Sequence, residues 1–406
     1  MSDVPVSAAR VTYGDVFRVA EFRALWSAQL LSVAGDQLAR VALTVLVYDR
    51  TRSALLAAVT FIMGVVPIFL GGIFLSGLAD RLPRRTVMIG CDLARLVLVV
   101  AMTLPKVPLA GLVALLFTVT MLSAPFTAAR AAIYPEILAG ERYTVGTAVS
   151  LTTFQLAQVI GFAVGGLLVS FFGVRTSLLV DAGTFAASAL FVRIGVTARP
   201  AARSGATRRA GVVAGMTGGV RLVFGNPALR TPMLFGWLAA LYNAPEGIAT
   251  PFARSLGGGA VTVGLLLACP AFGYTLAALA FGRLAGPQRR ARLMGPLAIA
   301  CSALLILIAL RPGLPGTLVI LAASGACACF QVAANSRFVA AAPPEHRSQA
   351  FGLATAGMSL GQGAAMVVAG AAVPYFAPST VIAAAGALGT AAAIVLSVTR
   401  PASADS

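Results

Sequence analysis

Two acidic residues lie inside long apolar stretches of the sequence, where a carboxylate is costly and has to serve some purpose. Asp36 is near the middle of the first stretch, and Arg40 follows one helical turn later on the same face. Glu246 lies in a later stretch beside Tyr242 and Asn243, with no basic residue within one turn. A carboxylate in such surroundings can bind and release a proton, so Asp36, Arg40 and Glu246 are candidates for proton coupling. The alternatives are a pair that only fixes helix packing, for Asp36, and either a contact to a cationic substrate or an interfacial acid wetted from outside, for Glu246.

Three more charged residues fall inside apolar stretches. Asp181 is a weaker candidate for proton binding. Asp92 and Arg95 are three residues apart, a spacing that brings both side chains to one face of a helix. We interpret Asp92 and Arg95 as a structural pair within that helix.

The residues that build common enzyme sites are in short supply. The only lysine, Lys106, follows Pro105, so the chain has no phosphate-binding loop that ends in Gly-Lys-Ser/Thr. The only histidine, His346, cannot supply a zinc site that requires two. The five cysteines have no zinc-ligand spacing. We therefore expect no enzyme, no catalytic residues, no bound metal and no cofactor.

Composition identifies the class of protein. Of the 406 residues, 59% are hydrophobic and 11% are charged, whereas about 25% are charged in an average soluble domain. The mean hydropathy is +0.91. These values exclude soluble, disordered and fibrous proteins and predict an all-α polytopic membrane protein. Stretches long enough to span a bilayer fall at 24–48, 55–76, 86–104, 109–132, 146–172, 176–194, 231–250, 260–281, 293–310, 317–340, 348–370 and 379–398.

The longest polar break, Ile194 to Arg230, separates six spans from six spans. We predict an N-terminal six-helix bundle at 1–193, a cytoplasmic central loop at 194–230 and a C-terminal six-helix bundle at 231–406. The two halves repeat one motif, since Gly77-Leu-Ala-Asp80-Arg-Leu-Pro-Arg84-Arg85 follows span 2 and Gly282-Arg-Leu-Ala285-Gly-Pro-Gln-Arg289-Arg290 follows span 8. Two parallel repeats of six spans are one of the architectures of secondary transporters.

The net charge of +17 has a topological explanation. Most of the 30 basic residues fall in alternate loops, on the same side as both termini. Cytoplasmic loops carry the excess of arginine and lysine, so both termini are predicted to be cytoplasmic. Nucleic acid is not an expected partner.

The turn from Gly77 to Arg85 resembles the signature between spans 2 and 3 of the major facilitator superfamily, with Pro83 in place of the second glycine. The resemblance implies two pseudo-symmetric six-helix bundles that rock about a central site. It also implies that Asp80 caps the start of span 11 and is released when the transporter changes state. Positive-inside topology and lipid contact are the alternative explanation of these charges. The predicted gating residues are Gly77, Asp80, Arg81, Arg84, Arg85, Arg130 and Glu136.

Several stretches resemble the macrolide-efflux and enterobactin-exporter branch of the superfamily. They include Phe22-Arg-Ala-Leu-Trp26, Phe154-Gln-Leu-Ala-Gln158 and Val180-Asp181-Ala-Gly-Thr-Phe185. In families of this kind spans 1, 4, 7 and 10 line the cavity. This implies that Tyr242, Asn243, Gln331 and Asn335 are substrate contacts, although hydrogen bonding between helices explains Gln331 and Asn335 equally well.

The resulting functional hypothesis is proton-coupled efflux of a small amphipathic compound, such as a drug, an antibiotic or a siderophore-like molecule. The expected partners are a small-molecule substrate, protons and the lipid bilayer, for a monomer in the bacterial inner membrane. Span 5 reads Gly161-Phe-Ala-Val-Gly165-Gly166 and lacks the proline common in exporters, so a facilitator or importer stays open. A lipid scramblase or a membrane-embedded enzyme is the remaining alternative.

Overall fold

The computed structural model describes residues 12–64, 66–75, 82–200, 220–343 and 346–399. These residues form helices and short connections, with no strand among them. Residues Leu307–Leu310 form a 3-10 turn, and residues 220–225 are helical. The helices are α1 (Tyr13–Phe17), α2 (Ala20–Thr51), α3 (Ala54–Ile62), α4 (Val66–Phe74), α5 (Arg84–Met102), α6 (Leu109–Ile137), α7 (Glu141–Gly195), α8 (Pro227–Trp237), α9 (Ala239–Tyr242), α10 (Ala244–Gly247), α11 (Ala249–Ser255), α12 (Ala260–Leu284), α13 (Pro287–Ile306), α14 (Gly313–Cys327), α15 (Phe330–Ala341), α16 (Arg347–Ala372) and α17 (Pro378–Val398).

The helices follow the predicted spans. Within the described ranges, nine helical segments are long and apolar enough to cross a membrane. The longest, α7, contains spans 5 and 6, which meet at Gly173 with a positive φ of 78° that favours glycine. Helix α5 is less apolar because it carries four charged residues: Arg84, Arg85, Asp92 and Arg95.

Span 7 departs from a single continuous helix. The sequence predicts one span at 231–250, whereas the structure has four short helices, α8 to α11, between Pro227 and Ser255. Pro245 and Pro251 lie in the first turns of α10 and α11. Proline has no backbone N–H to donate, so it is tolerated at a helix start and interrupts a helix interior. Glu246 therefore lies on broken backbone, in the four-residue helix α10.

We call residues 12–200 the first half and residues 220–399 the second half. In the first half α2 packs along α7, where Trp26 Nε1 donates to Thr153 Oγ1 at 2.6 Å and Gln29 Nε2 donates to the Ser150 carbonyl at 3.1 Å. The two halves share one buried apolar cluster, in which Phe61 of α3 belongs with Phe252 of α11 and Met366 of α16. This cluster holds the halves together at one end of the molecule.

Glycines set the closest approach between the halves. Gly166 of α7 faces Gly264 of α12, and a Cβ added at Gly166 would lie 2.6 Å from the Ala260 carbonyl oxygen. Contacts this short involve backbone atoms, which cannot move aside without separating the helices. The Gly-Gly contact is therefore a requirement of the packing between α7 and α12.

Gly166→Ala is expected to lower the thermal stability of the purified protein, because the added methyl group would meet the backbone of α12. Gly183→Ala is the matched control on the same helix, since nothing lies within 4 Å of a Cβ at Gly183. Alanine in an open helical position is favoured over glycine by about 0.5–1 kcal/mol. Thermal unfolding followed by fluorescence measures both variants. Equal melting temperatures for the two would contradict the proposed close contact.

Candidate functional site

A large cavity lies between the two halves. It has a volume of about 930 Å³, within the usual range for a small-molecule site. Side chains of both halves line it, most of them apolar or aromatic, together with a limited set of polar groups. The charged and amide-bearing residues in the wall are Gln29, Asp36, Gln37, Arg40, Arg95, Arg130, Gln155, Gln158, Asp181, Asn243, Glu246, Gln331 and Gln362.

The described residues differ between the two ends of the molecule, which we call the closed end and the open end. At the closed end the Arg254 side chain of the second half donates to both carboxylate oxygens of Asp49 in the first half, at 2.8 and 2.9 Å. Gly370 also packs against the backbone of α3 there. The wall continues in the opposite direction to Tyr134 and to Tyr143, which is 42% exposed. The end that carries Tyr143 and Glu136 is the one that we call the open end.

Asp36 makes its ion pair with Arg95 of α5, not with Arg40 as the sequence suggested. Arg95 also donates to Ser32 Oγ at 2.9 Å and lies 4.0 Å from the centre of the Phe185 ring. Its side chain is 1% exposed, so this contact network replaces water around a buried guanidinium. Sequence spacing favoured Arg40 because only neighbours along one helix are visible without the tertiary structure.

Two more carboxylates belong to the same cluster. Asp92 Oδ1 lies 3.7 Å from Arg95 Nη1, and Asp92 Oδ2 accepts a 2.6 Å hydrogen bond from Ser188. Asp181 is fully buried, interacts electrostatically with both Asp36 and Arg95, and has one carboxylate oxygen, Oδ2, without a hydrogen-bond partner. Three acids thus share one arginine. Asp92 and Arg95 are therefore not a pair local to one helix, because their cluster includes residues of α2, α5 and α7.

Arg95 and Asp181 line the cavity, although neither is prominent as a site residue in the sequence. The spacing along one helix predicts a local pair for Arg95, and the sequence gives Asp181 only as a weaker candidate for proton binding. One signal was available: an arginine in the middle of an apolar span needs more neutralisation than a single neighbour provides. That need indicates partners on other helices without identifying them.

Arg40 of the first half and Glu246 of the second half line the same cavity and interact electrostatically. Arg40 Nη2 donates to the Gly64 carbonyl at 2.8 Å, and its guanidinium lies 5.2 Å from the centre of the Phe61 ring. It interacts electrostatically with Asp36 on one side and Glu246 on the other. All three proton-coupling candidates line the cavity. Arg40 is the residue that links the acid of the first half to the acid of the second.

The predicted substrate contacts divide into two groups. Tyr242, Asn243 and Gln331 line the cavity, and Gln331 Nε2 donates to the Tyr242 hydroxyl and to the Gly236 carbonyl, both at 3.0 Å. Gln331 thus makes the helix-to-helix bonds that were the alternative, while also facing the cavity. Asn335 is exposed and is not among the lining residues, so its prediction as a cavity contact is not supported by its position.

Some of the predicted gating residues meet at the open end, and others do not. Arg84 forms an ion pair with Glu136 and donates to the Ala132 carbonyl at 2.9 Å, and Arg85 donates to the Arg193 carbonyl. Arg199, which the prediction did not include, approaches Glu136 at 3.5 Å. Gly77, Asp80 and Arg81 lie outside the described residues.

Arg130 is placed differently from the rest of the gating set. It lines the cavity beside Tyr134, whose ring centre is 5.9 Å from its guanidinium carbon. Glu136, the nearest acid along the same helix, is bonded to Arg84 instead. The arginine therefore faces the cavity, and the charge cluster around Glu136 forms without it.

Comparison with known proteins agrees with this geometry. The family described as transmembrane secretion effectors matches residues 15–405. The chain is 27% identical to the multidrug efflux pump Tap of Mycolicibacterium fortuitum, over 73% of this chain and 75% of that protein. It is 26% identical to the enterobactin exporter EntS of Shigella boydii, over 67% and 66%. It is 24% identical to macrolide efflux protein A of Streptococcus pyogenes, over 40% and 41%.

Solved structures agree on the fold. A POT family transporter in complex with 5-aminolevulinic acid superposes with a TM-score of 0.72 at 12% identity, covering 94% of this chain and 96% of that one. The nucleoside transporter NupG superposes with a TM-score of 0.68 at 17% identity, covering 92% and 98%. Since the family match extends over nearly the whole sequence, the chain belongs to the transmembrane secretion effector family, whose members are membrane transporters of the major facilitator superfamily.

Proposed function

We propose that this protein exports a small amphipathic compound from the bacterial cytoplasm in exchange for protons. The observation that carries the proposal is a cavity between two helical halves whose wall holds the half-buried acids Asp36 and Glu246 and the fully buried acid Asp181. An apolar and aromatic wall suits the body of an amphipathic molecule, and the acids suit proton exchange. The relatives named as efflux pumps and exporters support the direction of transport.

In this proposal, protons are coupled to transport because the acids of the cavity compete for Arg95 and Arg40. When Asp36 is ionised it holds Arg95, and when it is protonated that ion pair is lost and Arg95 is left to Asp92 and Asp181. Protonation of Glu246 likewise removes one of the two negative charges near Arg40. Each step changes the attraction between the halves or within the first half, which is what a coupled transporter needs.

Asp36→Asn and Glu246→Gln are each expected to abolish transport driven by a pH gradient, because neither amide can carry the exchanged proton. The measurement is movement of the neutral fluorescent amphipath N-phenyl-1-naphthylamine in proteoliposomes with an imposed gradient of either sign.

Glu141→Gln serves as the matched control for those two variants, since Glu141 is an exposed acid in the first turn of α7. Full gradient-driven transport by both the Asp36 and the Glu246 variants would disprove the coupling assignment. Transport that runs only down the probe gradient in the unsubstituted protein would identify a facilitator.

The two ends of the molecule are proposed to be its gates. The Asp49–Arg254 ion pair joins the halves at the closed end, on the outer side in the orientation that the arginine distribution predicts. The group around Glu136, together with Asp80, would act at the open, cytoplasmic end. The structure then represents the inward-facing state, which takes up substrate for export.

Asp49→Asn is expected to weaken the outer closure. Both partners are about 40% exposed, so the loss is about 0.5–1 kcal/mol, or a twofold to fivefold shift toward the outward-facing state. Spin labels at positions 175 and 311, one in each half at that end, report the change as a longer distance. Asp80→Asn is expected to shift the population in the opposite direction.

Exchanging the charges in Asp49→Arg combined with Arg254→Asp should restore the unsubstituted distance distribution. The label sites require a background without the five native cysteines. If Asp49→Asn and the exchange variant both give the original distribution, the ion pair is not part of the outer gate.

We also propose a location in the bacterial inner membrane with both termini in the cytoplasm. A reporter that fluoresces only in the cytoplasm should be bright when fused after Ser406, and alkaline phosphatase at the same position should be inactive. The opposite result would reverse the orientation, and with it the assignment of the inner and outer gates.

A further inference from the structure

Arg130 carries a charge for which the described part of the chain supplies no acidic partner. Its Nε atom is buried and makes no hydrogen bond, and its guanidinium faces the cavity. Glu136, the nearest acid on α6, is bonded to Arg84 and approached by Arg199. A cation held in the wall of a membrane-spanning bundle without an anion is costly, so a functional partner is expected from outside the described side chains.

A second unused hydrogen-bonding group lies in the same wall. The Thr147 hydroxyl, on α7, is buried and makes no hydrogen bond, and Thr147 lines the cavity together with Arg130. The neighbouring Tyr134 hydroxyl is already shared with Ser150 at 2.7 Å. The guanidinium on α6 and the hydroxyl on α7 are thus two unused hydrogen-bonding groups of this wall.

The Nε atoms of the other two cavity arginines, Arg40 and Arg95, also lack a hydrogen bond, but acids act on both of these side chains. Arg95 is held by Asp36 and Ser32, and Arg40 donates to the Gly64 carbonyl and lies in the field of Glu246. An incoming anion would meet acids at both of those positions. Among the arginines of the cavity wall in the described chain, Arg130 is the one with no acidic side chain paired with it or acting on it.

We propose that Arg130 and Thr147 form an anion-binding subsite of the cavity, which holds the carboxylate or sulfonate of an amphipathic substrate. Phe126, Tyr143 and Phe154 line the same cavity and provide aromatic surface for the substrate's ring. This inference rests on the proposed function, since it assumes that the cavity is the substrate site. It narrows the substrate class to aromatic compounds that carry an acidic group.

Two probes with the same aromatic core test the subsite by equilibrium binding. The full-length protein is placed in nanodiscs of phosphatidylcholine and titrated with 8-anilinonaphthalene-1-sulfonate, which is anionic, or with neutral N-phenyl-1-naphthylamine, with empty nanodiscs subtracted. Arg130→Gln is expected to weaken binding of the sulfonate by about tenfold or more, as for the loss of a charge-assisted hydrogen bond. Binding of the neutral probe should change by less than about twofold, within a few tenths of a kcal/mol.

Three further variants separate the effect of the Arg130 charge from that of the Thr147 hydroxyl and provide a control. Arg130→Lys should recover part of the affinity for the sulfonate, because it restores the charge without the second donor of the guanidinium. Thr147→Val, which removes only the hydroxyl, should weaken sulfonate binding by about threefold to tenfold, as for one neutral hydrogen bond. Arg142→Gln removes an exposed arginine in the same region and should leave both affinities unchanged.

Unchanged sulfonate affinity in Arg130→Gln would overturn the proposal, and so would an equal loss for the two probes, which would indicate general damage to the cavity. An effect that appears only when the nanodiscs contain phosphatidylglycerol would also overturn it, in favour of a lipid headgroup site. The assay needs no gradient. If proton-driven transport fails, the proposed function is disproved, but a loss of sulfonate binding in Arg130→Gln without a loss of neutral-probe binding would still support the anion subsite.

Discussion

A guanidinium that is 1% exposed inside a membrane-spanning bundle has to be neutralised by neighbouring side chains, and Arg95 meets this requirement with residues from several helices. Asp36 comes from α2, Asp92 from α5 itself, and Phe185 and Asp181 from α7. These contacts fix the rotation of α2, α5 and α7 about their axes. The polar side of α2 consequently faces the cavity, which places Arg40 near the acid of the second half.

The same cluster contains more acid than base. Three carboxylates surround one arginine, and one oxygen of Asp181 has no partner. Excess buried negative charge favours the binding of protons or cations. Protonation of an acid in the first half therefore changes the charge around Arg95. Arg40 and Glu246 couple this change electrostatically to the second half across the cavity.

Glycines set the distance between helices in this fold, whereas charged residues form the ion pairs. Gly166 and Gly264 bring α7 and α12 into backbone contact, so the halves can pivot against each other with little side-chain obstruction. Charged pairs occur at the two ends, where water is accessible and an ion pair can break at low cost. Between them the cavity wall is mostly apolar, and its charged residues are Asp36, Arg40, Arg95, Arg130, Asp181 and Glu246.

The sequence alone determined the class of protein, the positions of the spans and the family resemblance. The class depends on composition, the spans depend on the length of about 20 residues that a helix needs to cross a bilayer, and the resemblance depends on a contiguous motif. It also selected Asp36 and Glu246, because an acid in an apolar span is visible without knowledge of its neighbours. The break in span 7 could have been suspected from Pro245 and Pro251, but the position of each short helix could not.

Only the tertiary structure decided which charges meet. Asp36 was matched to Arg40 by helical spacing, yet its ion pair is with Arg95, 59 residues away along the chain. Arg130 was grouped with the gating turn, yet it faces the cavity, and Asn335 was placed in the cavity, yet it is exposed. The physical reason is that sequence spacing fixes angles around one helix axis. The rotation of one helix relative to another is set by packing and by the neutralisation of buried charge, which involve residues distant in sequence.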